Sequence, residues 1–127
     1  MNYWILPCNK KYYDIDGALK QQGFVEWHQT NAKVQVGDII YLYITKPSCE
    51  IQYKCEVVSI NNPACGEKDK EFSLGLNYSH YNRYMTLKPV KQYLTPTTFT
   101  QLVELGFSGT VRCIRHLDDC FVNFIDR

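Results

Sequence analysis

The sequence predicts an α+β domain that is mostly β, a small barrel or strongly curved sheet flanked by about three short helices. Runs rich in β-branched and aromatic residues recur along the chain with turn signals between them. The strand–helix–strand rhythm of a parallel α/β sheet is absent. With 127 residues, 45% of them hydrophobic, residues 1–127 suit a single domain that buries its own core.

The chain opens with a predicted strand and a predicted helix. Tyr3 to Leu6 are apolar or aromatic and form a short buried strand, which Pro7 should stop. The segment "YYDIDGALKQQG" is typical of a short helix. Its N-cap is Asp14 or Asp16, and Gly23 has the position that follows a helix end.

Two further strands follow a turn at Gly37-Asp38. Ile39 to Thr45 are nearly all apolar or aromatic and predict a central strand that ends before Pro47. The next run, "IQYKCEVVSI", alternates and should pair with the central strand as an antiparallel hairpin. The alternation places on one face Ile51, Tyr53, Cys55 and Val57.

The middle of the chain is less regular. "NNPACGEKDKE" has the composition of a loop, and "FSLGLNYSHYNRYM" is ambiguous between structures. "YMTLKPVKQYL" predicts another strand, bent or edge-placed at Pro89. In "TPTTFTQLVELGF", Thr95 as N-cap and Pro96 at the first helical position predict a helix that Gly106 closes. Its buried stripe would contain Phe99, Leu102 and Val103.

The C-terminal segment predicts a last strand and a last helix. "GTVRCIRH" is the candidate strand. In "LDDCFVNFID", Asp118 and Asp119 suit the positive end of a helix dipole. The apolar positions are spaced by four: Leu117, Phe121 and Ile125.

Charge and cysteine usage limit the functional classes. The net charge is +1, from 14 basic and 13 acidic residues, so any nucleic-acid contact has to come from a local site. The six cysteines form no C-x-x-C pair and no zinc-type cluster. From the strand-like opening "NYWILP" and the lack of a long apolar run, we expect neither a secretory nor a membrane-spanning segment. We therefore expect reduced thiols in a cytoplasmic protein, with no metal and no cofactor.

Motifs for catalysis are also absent. The chain has no phosphate-binding glycine loop, nucleophile elbow or H-E-x-x-H. His28, His80 and His116 are far apart in sequence, and the acidic pairs lie where helix caps belong. A Cys–His catalytic pair formed only in space stays open, but we expect the protein not to be an enzyme.

Trp27 stands in a polar segment, "VEWHQTN", whereas the other tryptophan, Trp4, lies in an apolar run. One interpretation makes Trp27 a core residue that plugs one end of the barrel. The other makes it a platform on which a flat base stacks while nearby amides read the edge of that base. The residues by themselves leave both interpretations open.

The segments "NYWILPCNKKYYDIDGAL", Trp27, "VQVGDIIYLYITKP", "IQYKCEVVSI" and "GFSGTVRCIRHLDDCFVNFID", in this order, resemble the EVE domain of the PUA-like superfamily, a relative of the YTH module. The resemblance implies a six-stranded pseudo-barrel with flanking helices and a pocket for a flipped, often modified, base. The chain resembles in particular the EVE domains found as N-terminal reader modules of HNH-type restriction endonucleases. These modules are thought to detect modified cytosine in DNA.

The resemblance also implies roles for individual residues. Trp27 matches one wall of the pocket. Cys8 replaces a polar residue that some relatives carry at this position, and a cysteine makes the hydrogen bond expected there weaker. Tyr43 and Tyr53 are the candidates for a second cage aromatic, although either could be core. The complete set of implied base contacts is Cys8, Asn9, Trp27, His28, Gln29, Tyr43, Thr45, Pro47 and Tyr53. The implied phosphate contacts are Lys10, Lys11, Lys46, Arg112 and Arg115.

The expected function is therefore recognition of a modified base, 5-methyl- or 5-hydroxymethylcytosine in DNA, by base flipping into an aromatic pocket. The module would be the reader of a modification-dependent restriction system, with a fused or partner nuclease domain beyond the abrupt "FIDR" end. Three alternatives stay open: a reader of modified RNA, a small-ligand enzyme with a Cys/His pair, and an interaction domain whose pocket has decayed.

Overall fold

The structure, a computed structural model, describes residues 1–11, 13–28, 33–62 and 84–127. Its strands are β1 (Tyr3–Cys8), β2 (Val25–His28), β3 (Ile39–Ile44), β4 (Glu50–Asn62), β5 (Tyr84–Thr98) and β6 (Arg115–His116). Its helices are α1 (Ile15–Gly17), which continues as a π-helical turn (Ala18–Gln22), α2 (Phe99–Glu104) and α3 (Asp119–Ile125).

The strands form one six-stranded sheet in the order β2-β5-β4-β3-β1-β6. Among the strands of the described residues, only β1 and β3 pair in parallel, and the other neighbours are antiparallel. The sheet curls into a half-barrel with the helices around it, so the predicted PUA-like α+β fold class is confirmed. Within the described ranges, no helix has the length and apolarity needed to cross a membrane.

The core consists of two clusters that share the central strands. The tryptophan cluster contains Trp4 and Trp27, and the phenylalanine cluster contains Phe107 and Phe121. Along β3, Ile40, Leu42 and Ile44 join the first cluster, whereas Ile39, Tyr41 and Tyr43 join the second. Because both faces of β3 are covered, the strand is continuously apolar, as predicted for a central strand.

Strand β1 continues through Pro7 to Cys8, so the prediction that Pro7 ends it was wrong. The backbone carbonyls of Asn2 and Cys8 accept hydrogen bonds from the β3 side, and that of Tyr3 accepts one from Leu117 on the β6 side. Successive residues alternate sides, so the nitrogen of Pro7 faces the β6 side. There β6 pairs only with Trp4 and Ile5, and no hydrogen bond to β6 is lost.

The first helix begins as predicted at Asp14, whose side chain accepts a hydrogen bond from the Gly17 backbone N–H at 3.0 Å. Its continuation ends at Gly23, which has a left-handed φ of 80° and donates its N–H to the Ala18 carbonyl. Of the two proposed N-caps, Asp14 is therefore the correct one. This choice leaves Asp16 within the first turn, where its carboxylate is available for tertiary contacts.

The predicted β3–β4 hairpin is confirmed, and Tyr53, Cys55 and Val57 lie together in the tryptophan cluster. Ile51 was predicted on the same face but belongs to the phenylalanine cluster. The reason is irregular pairing, because the β4–β5 register shifts between Ile51 and Tyr53. A bulge at this point turns the strand and moves the side chains that precede it to the other face.

Strand β5 is bent at Pro89, as predicted. Lys54 pairs with Lys91 and Cys55 with Pro89, which leaves Val90 as an extra residue in β5. On the other side, β2 pairs with β5 only as far as Leu87, so the remainder of β5 lies at the edge of the sheet.

The start of α2 differs from the prediction. Thr95 and Pro96 belong to β5, whose pairing with β4 skips these two residues and resumes at Thr97 and Thr98. Thr98 is the N-cap and forms a capping box with Gln101, so cooperative pairing of the strand outweighs the local Thr-Pro signal. Gly106 closes the helix with a φ of 100°, as predicted. Of the predicted stripe, Leu102 is buried, Phe99 is half-buried and Val103 is exposed.

The C-terminal predictions hold. β6 is the predicted last strand, although only two residues of it pair. The apolar positions Leu117, Phe121 and Ile125 are all buried, and Asp119 lies in the first turn of α3. Of the predicted 61–71 loop, residues 61 and 62 extend β4, and 63–71 lie outside the described residues, as do 72–83 of the ambiguous segment.

Candidate nucleic-acid interface

The carboxyl ends of β1 and β3 meet at one end of the sheet because the two strands are parallel. The Thr45 backbone N–H donates to the Cys8 carbonyl at 3.1 Å and ties the two ends together. Four of the predicted contact residues follow directly: Asn9 after β1, and Thr45, Lys46 and Pro47 after β3. Their proximity is a consequence of strand direction, which local sequence patterns do not encode.

Asn9 forms an exposed corner, which we call the Asn9 corner (Cys8 to Lys11). Its side-chain Oδ1 accepts from the Lys11 backbone N–H at 2.9 Å, and its carbonyl accepts from the Tyr13 N–H at 3.2 Å. The Asn9 amide nitrogen has no hydrogen-bond acceptor within the described ranges. The corner is therefore a stable turn that presents a side-chain donor to solvent.

Trp27 lies on β2, at the far end of the strand order from the β1–β6 side. Its indole packs edge-on against the Tyr13 ring, with centroids 5.1 Å apart and planes at 74°. Because Tyr13 follows the Asn9 corner, this contact joins the edge strand to the end of β1 across the curled sheet. Trp27 is 6% exposed and is thus part of the core, and its ring partner Tyr13 follows the corner in sequence.

Cys8 is fully buried beneath the corner, together with Cys55 in the tryptophan cluster. Burial raises the pKa of each thiol to about 12. At neutral pH both are protonated, and a protonated thiol is a poor nucleophile. The five cysteines of the described ranges are free, and Cys113 and Cys120 are exposed, so only some of them act as small apolar core residues.

The two candidate cage tyrosines are separated. Tyr53 lies in the tryptophan cluster with Trp27, whereas Tyr43 lies in the phenylalanine cluster and packs edge-on against Phe99 at 6.1 Å. The structure thus does not bring Tyr43 together with Trp27, because adjacent β3 residues alternate between the faces. Tyr13, which sequence reasoning did not select, is an aromatic residue that contacts Trp27 within the described ranges.

The predicted contacts beside Trp27 are only partly described. His28 is the last residue of β2, and its backbone pairs with Tyr84 of β5. Gln29 lies outside the described residues. Their roles in base contact therefore stay predictions from the resemblance.

Lys10 is engaged within the protein. Its ammonium group forms an ion pair with Asp16 at 2.8 Å and donates to the Gln52 Oε1 at 2.9 Å. The Tyr53 hydroxyl donates to the same Asp16 carboxylate. Burial alone would raise the pKa of Asp16, but the hydrogen bonds from Lys10 and Tyr53 outweigh it, and the pKa is lowered. Lys10 is therefore partly neutralised before any phosphate approaches.

The other predicted phosphate contacts differ in availability. Lys11, Lys46 and Arg112 are exposed. The Arg115 guanidinium lies 4.3 Å from the Phe107 ring centroid and donates to the Ser108 and Thr110 carbonyls. Arg115 thus stabilises the loop before β6, and its charge could reach a phosphate only beside that loop.

No group of three or more His, Cys, Asp or Glu side chains in the described ranges is arranged to hold a metal ion. What the region can provide chemically is an aromatic pair, an exposed amide and several exposed cations. These are the components with which proteins hold a base by stacking, read its edge and contact its phosphates.

Comparison with known proteins places the fold but not a family. No protein-family model matches the chain. No curated protein matches it in sequence.

Solved structures resemble it closely in fold. Human THYN1, in complex with DNA containing 5-methylcytosine, has a TM-score of 0.67 at 10% identity, over 100% of this chain and 99% of that one. A protein from Leishmania major has a TM-score of 0.67 at 14% identity, with coverage of 99% and 95%. The ASCH protein from Zymomonas mobilis has a TM-score of 0.64 at 8% identity, with coverage of 96% and 92%. At these identities the likeness establishes the architecture alone.

Proposed function

We propose that this chain is a DNA-binding module that recognises a modified cytosine, 5-methyl- or 5-hydroxymethylcytosine. In this proposal the base flips out of the duplex and stacks beside Trp27, and the Asn9 side chain donates to its polar edge. The observation that carries the proposal is the contact of Trp27 with Tyr13 next to the exposed Asn9 corner. The likeness in fold to human THYN1 in complex with 5-methylcytosine DNA supports it.

The expected energies limit what such a pocket can achieve. Stacking of a base on an aromatic side chain contributes ~1–3 kcal/mol. One methyl group in an apolar pocket discriminates by a further ~1–3 kcal/mol, or about 10- to 200-fold. We therefore expect a preference for the methylated base of this order rather than absolute selectivity.

A titration of labelled duplexes by fluorescence anisotropy tests the proposal. The duplexes share one sequence and differ only in carrying cytosine, 5-methylcytosine or 5-hydroxymethylcytosine, and a methylated RNA serves as a further arm. We expect tighter binding to one modified duplex than to the unmodified duplex, and weaker binding of that modified duplex by Asn9→Ala, whose side chain is exposed. Equal affinity for all duplexes, unchanged by the substitution, would contradict the proposal.

A role in restriction is the part of the proposal that rests on the sequence resemblance. The module would then locate the modified base, and a fused or partner nuclease domain would cut. Transformation of cells that express the protein with methylated and unmethylated plasmid tests this role. Equal transformation efficiency for both plasmids would argue against it.

A catalytic step is not part of this proposal. A Cys/His mechanism at Cys8 would require a thiolate, which burial disfavours. Incubation with labelled oligonucleotides and nucleotides, followed by product analysis, tests this point. Turnover that Cys8→Ala abolishes would require an enzymatic function instead.

A further inference from the structure

A groove runs beside the Asn9 corner, between the π-helical turn and strands β4 and β5. It consists of two cavities of about 330 Å³ and about 230 Å³ that share Lys20 and Gln92. We call it the β4–β5 groove and define it by Lys10, Lys20, Gln52, Tyr53, Lys91 and Gln92.

The groove exists because β5 departs from β4 at this point. Tyr53 pairs with Gln92, but the next paired positions are Ile51 and Thr97, so β5 contributes several residues more than β4 to this stretch. The excess chain bulges away from the sheet, and Pro96, which cannot donate to a strand ladder, lies within it. The opening is thus built into the pairing of two long strands.

The side chains that line the groove carry one more positive than negative charge. Three lysines and two carboxylates, Asp16 and Glu50, line its two cavities. Asp16 is already satisfied by Lys10 and Tyr53. Lys20 and Lys91 are exposed, and neither forms an ion pair with a carboxylate of the described residues. The charge of Lys20 helps to lower the pKa of Asp16, and the Lys91 ammonium lies 5.0 Å from the Tyr93 ring centroid, so both lysines keep an accessible charge.

The groove also offers an amide. Gln92 is exposed on β5, opposite Tyr53, and both cavities include it. An amide side chain can donate to a phosphate or pair with the edge of a base. Because Lys10 is bound to Gln52 and directly follows Asn9, the groove begins where the proposed base site ends.

We propose that the β4–β5 groove holds the DNA strand on one side of the recognised base, with Lys20 and Lys91 contacting phosphates and Gln92 contacting the adjacent nucleotide. This inference rests on the proposed function and adds the path of the strand to it. It also assigns phosphate contacts that differ from those implied by the sequence resemblance, since Lys10 serves to hold the groove together.

The salt dependence of binding by the full chain tests the groove. Each phosphate contact releases counterions, so removing one lysine lowers the slope of log affinity against log salt by about one. The test measures Lys20→Gln, Lys91→Gln and the double variant by anisotropy with the 5-methylcytosine duplex. Lys88→Gln is the matched control, because Lys88 is an exposed lysine of the same strand that lines neither cavity.

We expect the slope to fall by about one for each groove lysine and by about two in the double variant, with the ratio of affinities for modified and unmodified DNA unchanged. The control should keep the wild-type slope. Slopes that match the control in all three groove variants would overturn the inference.

The outcomes for the groove and for the base site are separable. Binding without any preference for the modified base contradicts the base reader, whereas a reduced slope in the same experiment still supports the groove. A preference for the modified base with unchanged slopes contradicts the groove alone. If the wild-type chain binds no duplex but binds the RNA with the same dependence on Lys20 and Lys91, the assignment to DNA is overturned. If the chain binds neither DNA nor RNA, both the base reader and the groove are overturned.

Discussion

The two tryptophans of the protein occupy two ends of one core cluster and are buried alike, at 3% exposure for Trp4 and 6% for Trp27. Trp4 lies on β1, and its indole nitrogen donates to the Asp38 carboxylate at 3.0 Å. Trp27 lies on the edge strand β2, against Tyr13, which follows the Asn9 corner in sequence. Burial therefore does not distinguish a structural tryptophan from one that is a candidate for binding. The polar groups near each ring do distinguish the two.

At the Trp4 end of the cluster, the Asp38 carboxylate is the shared acceptor for several hydrogen-bond donors. Asp38 is 2% exposed and also accepts from the backbone N–H groups of Asn2 at 3.0 Å and Gln35 at 2.9 Å. Burial alone would raise the pKa of Asp38, but the hydrogen bonds from Asn2, Gln35 and Trp4 outweigh it, and the pKa is lowered. This end of the cluster has the features of a structural site, and we expect DNA binding to be independent of it.

The largest effect should come from Asp38→Ala. The substitution leaves two backbone donors and the Trp4 indole without their shared acceptor, at a cost of about 3–5 kcal/mol in the free energy of unfolding. Chemical denaturation of the wild type and the variant measures this loss. Under conditions in which the variant is folded, its affinity for the 5-methylcytosine duplex should be unchanged; a reduced affinity would show that the two ends are coupled.

The pH dependence of the same site gives a second prediction. The folded pKa of Asp38 lies below its ordinary value of 3.8, so its stabilisation is present above the unfolded pKa and is lost as the pH falls through the folded pKa. The difference in unfolding free energy between the wild type and Asp38→Asn should be constant near neutral pH and shrink below about pH 4. A difference that grows on acidification would contradict the lowered pKa.

A matched pair of substitutions separates the two tryptophans. Trp4→Phe and Trp27→Phe should each lower the unfolding free energy by about 1–3 kcal/mol, since both remove buried ring surface. Only Trp27→Phe should weaken binding of the modified base, by about 1 kcal/mol or about fivefold, because a phenyl ring offers a smaller stacking surface than an indole. Equal effects of both variants on binding, measured by anisotropy on folded protein, would make Trp27 a core residue only.

The smallest effect is expected from the exposed asparagines at the two ends. Asn9→Ala should weaken binding to the modified duplex by about 0.5–1.5 kcal/mol through loss of one hydrogen bond. Asn2→Ala, at the Trp4 end, is the control and should bind like the wild type, because its contact to Asp38 uses the backbone N–H. If Asn2→Ala weakens binding as much as Asn9→Ala, the Asn9 corner has no special part in recognition.

The local features of the fold could be predicted from the sequence. The Asp14 N-cap, the left-handed Gly23 and Gly106, the central strand before Pro47 and the buried spacing of α3 all depend on neighbouring residues. The errors lie where distant pairing outweighs a local signal. Pro7 lies within β1 because β6 is too short to pair there, and Thr95 lies within β5 because the pairing of β5 with β4 resumes beyond it, at Thr97.

The candidate site divides in the same way. The sequence by itself determined that Trp27 lies in a polar segment and that Asn9 follows a buried strand. Both are local properties, because they depend only on residue type and on the patterning of one strand. Only the tertiary structure decided that Tyr13 contacts Trp27, that Tyr43 lies on the other face, and that Lys20, Lys91 and Gln92 share a groove. These spatial relations depend on the curl of the sheet and on bulges in β4 and β5. Both arise from pairing between residues that are far apart in the chain.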